Sequence, residues 1–94
     1  SPLSLWSNEY DYVIAHSLEE AKLIVAKTIL GLDSVIAYED YEKETYGEDE
    51  MPEWYRCDDD HVFPYGNDDG TIETKTVREH IQKYGLGYFA NSEY

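Results

Sequence analysis

The 94 residues suit one compact domain and leave no room for two, and 41% apolar with 15% aromatic residues supplies a modest core rather than a disordered chain. Asp and Glu number 21 against 7 Lys and Arg, a net charge of −14, which argues against direct nucleic-acid binding and against anionic membranes and favours basic partners. The single cysteine, Cys57, cannot form a disulfide framework, and the longest apolar stretch, Leu23–Ala26, is far below the roughly 20 residues of a membrane helix.

Taken in order, Tyr10-Asp11-Tyr12-Val13-Ile14-Ala15 is aromatic and β-branched and predicts a strand. Ser17 and Glu20 have the spacing of a capping box, with Glu20 expected to reach back to the Ser17 amide. Leu18, Ala21, Ile24, Val25, Thr28 and Ile29 follow at helical spacing, and Gly31 supplies a left-handed stop, predicting a helix over 18–30. Asp33 is placed to cap a shorter helix through Val35, Ile36, Ala37 and Tyr38, ended by Gly47 and Pro52 at the latest.

Residues 53–57 and 61–65 read as two strands joined in a hairpin by Asp58-Asp59-Asp60, with Pro64 implying an edge or a strand end. Gly66–Gly70 has turn chemistry, and Thr71–Thr74 extends the sheet. Thr76 and Glu79 form a second capping box, opening a helix that runs through Ile81 and Tyr84 to Gly85, before a last strand at 87–90. The expected fold is α+β: a small, mostly antiparallel sheet with two or three packed helices, in the order β-α-(α)-β-β-α-β.

The charge is not spread evenly. Residues 39–60 hold eleven acids (Glu39, Asp40, Glu42, Glu44, Glu48, Asp49, Glu50, Glu53, Asp58, Asp59 and Asp60) against Lys43 and Arg56, so nearly two thirds of the net charge lies in under a quarter of the chain. Interleaved with these acids are Tyr38, Tyr41, Tyr46, Trp54 and Tyr55, residue types that anchor interfaces as readily as they fill cores. Duplex nucleic acid presents one charge about every 1.7 Å of its axis. Carboxylates three or four residues apart on a helix lie about 5–6 Å apart, and Glu48–Glu50 and Asp58–Asp60 would extend such a line.

Motifs for catalysis or metal binding are poor. Aligning Gly70 with the invariant glycine of a calcium loop puts Tyr65 and Thr76 where carboxylates are required. Asp58, Asp60 and His61 are the best cation candidates, but consecutive residues in a turn point apart. Cys57 and His61 invite a nucleophile–base pair that lacks an orienting group, and the surrounding acids disfavour a thiolate. His16 and His80 read as structural. The expectation is a protein without cofactor, metal or catalytic residue.

A small, acidic, tyrosine-rich, cysteine-poor α/β chain resembles the phage-encoded DNA mimics and host-defence inhibitors, among them the anti-CRISPR proteins and the uracil-DNA glycosylase inhibitors. The terminal Gly85-Leu86-Gly87-Tyr88-Phe89-Ala90-Asn91-Ser92-Glu93-Tyr94 is similar to the end of small phage and prophage proteins. The resemblance carries over no functional residue. It implies stoichiometric inhibition of a basic, nucleic-acid-binding complex in the cytoplasm of a bacterial host. The binding surface would then be Glu39, Asp40, Glu42, Glu44, Glu48, Asp49, Glu50, Asp58, Asp59 and Asp60 with Tyr41 and Tyr46, and a homodimer would lengthen it. The competing readings are an interaction module that uses its Tyr and Trp surface, with charge serving solubility, and a metal-dependent enzyme built on Asp58, Asp60 and His61. No signal peptide is apparent, and the Ser1-Pro2 start without Met is that of a processed chain or of a non-native N-terminus.

Overall fold

Ten short elements make up the computed structural model, which describes residues 2–91, so Ser1 and the terminal Ser92-Glu93-Tyr94 lie outside the described residues. They are β1 (Ser4–Ser7), β2 (Asp11–Ala15), α1 (Leu18–Val25) continued by one wide π turn (Ala26–Leu30), α2 (Val35–Tyr46), β3 (Tyr55–Arg56), β4 (Val62–Gly66), β5 (Ile72–Thr76), α3 (Val77–Tyr84) and β6 (Gly87–Asn91). The α+β class and the antiparallel pairing are as expected. No helix among the described residues is long and apolar enough to cross a membrane.

Four strands form the central sheet in the order β3-β1-β2-β6, while β4 and β5 form a separate two-stranded ribbon. Alternation along β1 and β2 divides the core in two. Trp6, Val13, Ala15 and Tyr88 face α1 and α2, packing with Ala21, Val25, Ala26 and Tyr38. Leu5 and Ile14 face the opposite side, where α3 and the β4–β5 ribbon deliver Val77, Phe63 and Tyr65. The register shift between Tyr12 and Val13, which pair with Ala90 and Tyr88, leaves Phe89 as the extra residue of a β-bulge. The bulge turns Phe89 into the second core, where its ring centroid lies 4.8 Å from Tyr65 and 5.1 Å from His80.

The expected hairpin across Asp58–Asp60 does not form. β3 pairs with β1, matching Trp6 to Arg56, and β4 pairs with β5 from Val62–Thr76 to Gly66–Ile72. The physical reason lies at the start of α3, whose first amides have no partner within the helix. The Val77 and Arg78 amides donate to the carbonyls of His61 and Asp59 at 2.9 and 3.0 Å, and the Arg78 guanidinium holds Asp60 at 2.6 Å. The triple-aspartate turn is therefore docked on a helix N-terminus, where carboxylates also meet the positive end of the helix dipole.

Helix ends follow local chemistry, with two corrections. Thr76 and Glu79 make the full capping box, and its hydrogen bonds hold the Glu79 carboxyl below its usual range. Ser17 accepts from the Glu20 amide at 3.2 Å, but Glu20 reaches one residue further than expected and takes the His16 amide at 2.7 Å. α2 is capped by Ser34, which accepts from the Ala37 amide at 3.1 Å, in place of Asp33. α2 also runs on to Tyr46, beyond the point where polar residues take over, because its apolar contacts need only one side of the helix.

Candidate functional site: an acidic helix face beside a tyrosine-lined hollow

α2 packs on α1 and its π turn, and this sorts the predicted acidic residues. Residues four apart share a helix face. Tyr38 and Glu42 form the inward face, 1% and 7% exposed, while Ile36, Asp40, Lys43 and Glu44 stand in solvent and Glu39 is half-buried. Glu42 therefore leaves the predicted outward display. Burial first, then hydrogen bonding with Glu42 and the negative charge of Glu42, push the Tyr38 phenol far above its ordinary value. The second carboxylate oxygen of Glu42, Oε2, is buried with no hydrogen-bond partner among the described residues.

Beyond α2 the chain turns at Gly47, and Glu48, Asp49 and Glu50 are all exposed. The chain then folds back so that Trp54 meets Tyr38 edge-on, with ring centroids 6.3 Å apart. The acidic turn thus stays at the C-terminal end of α2, whose own first turn holds no acid. This is the reverse of the charge distribution that complements a helix dipole, and it costs stability, about 0.3–1 kcal/mol for each charge near the end.

Of the Asp58–Asp60 carboxylates, Asp59 and Asp60 are offset by cations and Asp58 is not. Asp58 accepts from the Asp60 amide at 2.9 Å, Asp59 pairs with Arg56 at 3.3 Å and Asp60 with Arg78 at 2.6 Å. Within residues 39–60, the acids outside the core that make no ion pair among the described residues are Glu39, Asp40, Glu44, Glu48, Asp49, Glu50, Glu53 and Asp58, with Lys43 among them.

The structure adds a feature that the charge count did not locate. Between the β1–β2 turn, the π turn of α1 and the inner edge of α2 lies a hollow of about 360 Å³, its walls carrying Tyr10, Tyr41, Tyr46, Glu42, Asp11 and Ile29. Each wall has an unusual cause. The π turn closes on Gly31, with the Leu32 amide reaching back to the Ala26 carbonyl at 2.9 Å, and this wide turn sets Ile29 at the rim. In the β1–β2 turn, Glu9 adopts φ +82°, a left-handed conformation that side chains disfavour.

Buried Asn8 holds that turn. Its Oδ1 accepts from the amides of Tyr10 and Asp11 at 3.1 and 2.7 Å, and its Nδ2 donates to Asp11 at 3.3 Å and to the Tyr38 hydroxyl at 3.4 Å. The Tyr88 hydroxyl donates to the other oxygen of Asp11 at 2.5 Å. Tyr10 is thereby set parallel to Tyr46, the planes within 7° and the centroids 6.5 Å apart. Burial, then the negative charge of Glu42, push the Tyr46 phenol above its ordinary value.

Of the predicted residues, Tyr41, Tyr46 and Glu42 meet in this hollow. Asn8, Tyr10 and Asp11 were missed as site residues. The available signal was Asn8 ahead of a β-run, a residue type that bonds to backbone two residues on.

The catalytic and metal candidates do not assemble further. Cys57 and His61 line one hollow of about 280 Å³, but burial pushes the Cys57 thiol up, away from the reactive thiolate. Asp69 accepts from the amide and the hydroxyl of Thr71 at 3.0 and 2.6 Å, the geometry of a self-contained turn. Among the described residues no three His, Cys, Asp or Glu side chains are grouped to hold a metal ion. No family model, curated protein or solved structure matches the chain.

Proposed function

We propose that this protein is a non-enzymatic inhibitor that occupies the cationic groove of a nucleic-acid-binding complex in place of nucleic acid. In that reading it is phage-encoded, needs no cofactor and acts in the cytoplasm of its bacterial host. The observation carrying it is the set of exposed acids Asp40, Glu44, Glu48, Asp49 and Glu50 along α2 and the turn beyond it, with Lys43 the one basic residue among them. Glu44 and the Glu48–Glu50 turn sit at the end of the helix where they cost stability, so folding does not account for their placement. Asp59 and Asp60, paired with Arg56 and Arg78, add little to the proposed surface, whereas Asp58 is exposed and has no ion pair among the described residues.

The test is capture of nucleic-acid-binding complexes from nuclease-treated bacterial lysate. Added duplex DNA should compete for the captured complex, and binding should weaken as salt rises. The combined reversal Asp40→Lys, Glu44→Lys, Asp49→Lys and Glu50→Lys, with its fold checked by circular dichroism, should abolish capture. Capture that resists duplex DNA, high salt and the reversal sinks the proposal. That result would favour the second reading, an aromatic interaction module, for which the half-exposed Tyr10, Tyr41 and Tyr46 around one hollow are the supporting observation.

A further inference from the structure

Carboxylates in an enclosed site are costly unless paired or fully hydrogen-bonded. Glu42 is 7% exposed and keeps Oε2 without a partner among the described residues. The same side chain lines the tyrosine-walled hollow. Lys22 lies on its other side, across a separate hollow of about 290 Å³, and makes no ion pair with it among the described residues. The charge on Glu42 therefore lacks a counter-ion within the described part of the fold.

What surrounds Glu42 specifies the missing ion. No Lys or Arg lines the hollow, and Asp11 contributes a second carboxylate. Tyr10, Tyr41 and Tyr46 are each about two-fifths exposed, so their rings are reached from solvent at the mouth. Tyrosine faces attract organic cations, and the attraction strengthens where water is excluded. Val25, Ile29 and Leu30 offer an aliphatic wall suited to a methylene stem. A metal ion is a poor fit, because hard cations take six or more oxygen ligands and rings offer none.

We propose that this hollow binds an alkylammonium group on an aliphatic stem, namely a lysine side chain presented by a partner protein. The ammonium reaches Glu42, the stem lies along Ile29 and Leu30, and the rings of Tyr41 and Tyr46 close around the head. The strained Glu9 turn is the device that brings Tyr10 to the rim. The inference stands apart from nucleic-acid mimicry: the four-site reversal on the outer face leaves these residues in place, so each proposal can fail without the other.

The probe is lysine blocked at both ends as N-acetyl-lysine methylamide, titrated at fixed ionic strength and followed by amide NMR shifts. The neutral isostere N-acetyl-norleucine methylamide and free n-butylamine are run beside it. Saturable shifts confined to residues 8–11, 29–30 and 38–46 are expected with blocked lysine, and none with the norleucine compound. Glu42→Gln should weaken binding at least tenfold and Tyr46→Leu at least threefold. Transfer of magnetisation from the lysine ε-methylene to tyrosine ring protons in the unmodified protein is a second readout that needs no variant to fold. Equal binding of the norleucine compound, shifts centred instead on residues 48–50, or absence of that transfer would each overturn the assignment. Binding of n-butylamine ten times tighter than blocked lysine would overturn it in favour of a free amine.

Discussion

Above pH 10 the protein should lose stability along a limb that Tyr38 sets. An unfolded tyrosine ionises near a pKa of about 10. In the folded chain, burial and the hydrogen bond to Glu42 keep this phenol neutral well beyond that point. A folded pKa raised above the unfolded one contributes stability fully below the unfolded value, and that contribution is lost as pH climbs toward the folded value. The slope is about 1.4 kcal/mol per pH unit. At pH 11 the loss is therefore about 1.4 kcal/mol relative to neutral pH, or roughly 6–11 °C in Tm for a chain of this size.

Tyr38→Phe removes this titration and also the hydroxyl that accepts from Asn8 beside Glu42, at a cost of about 2 kcal/mol at pH 8. Urea unfolding followed by the fluorescence of Trp54, whose ring lies 6.3 Å from that of Tyr38, measures both proteins at pH 8, 10 and 11. The remaining tyrosines and Cys57 are common to the two, so their alkaline titration cancels in the difference. The gap between wild type and variant should shrink by about 1.4 kcal/mol from pH 8 to pH 11. A gap that stays constant would falsify the neutral, Glu42-bound phenol.

Two further changes probe the scaffold around the site. Gly31→Ala should cost about 1 kcal/mol in urea unfolding, because φ is +67° and no atom lies within 4 Å of the added methyl, leaving backbone strain as the whole effect; a loss under about 0.3 kcal/mol would contradict this. Phe89→Ala, which empties the centre of the Phe63, Tyr65, His80 and Tyr84 cluster, should cost about 3–5 kcal/mol, and thermal melts showing less than half of that would mean the bulge does not seat Phe89 as described.

How much was legible in the sequence differs by element. The strand through Val13 and Ile14, the helix begun at Ser17 and the helix begun at Thr76 were readable because their signals lie within a few residues of one another: side-chain alternation, 3.6-residue periodicity and caps. β1 was missed because Ser4–Ser7 is short and carries polar ends. Its strand character comes from Ala15, Ile14, Val13 and Tyr12 opposite it, not from its own residues. The hairpin at Asp58–Asp60 was misread for a related reason. Turn chemistry there is real, but the start of α3, some twenty residues on, offered those carbonyls and carboxylates better partners than an adjacent strand could.

The candidate site divides along the same line. Composition by itself determined the sign of the surface, its concentration in residues 39–60 and the abundance of tyrosine among those acids, since charge and ring count need no coordinates. Only the tertiary structure decided which charges face out, because one turn of α2 carries Glu42 inward and Glu44 outward, and which are cancelled, because Arg56 and Arg78 come to Asp59 and Asp60 through folding. Likewise Asn8, Tyr10 and Asp11 join Tyr41, Glu42 and Tyr46 in one hollow although some thirty residues separate them. That meeting rests on a left-handed Glu9, a π turn and the packing of α2 on α1, none of which a local pattern of residues encodes.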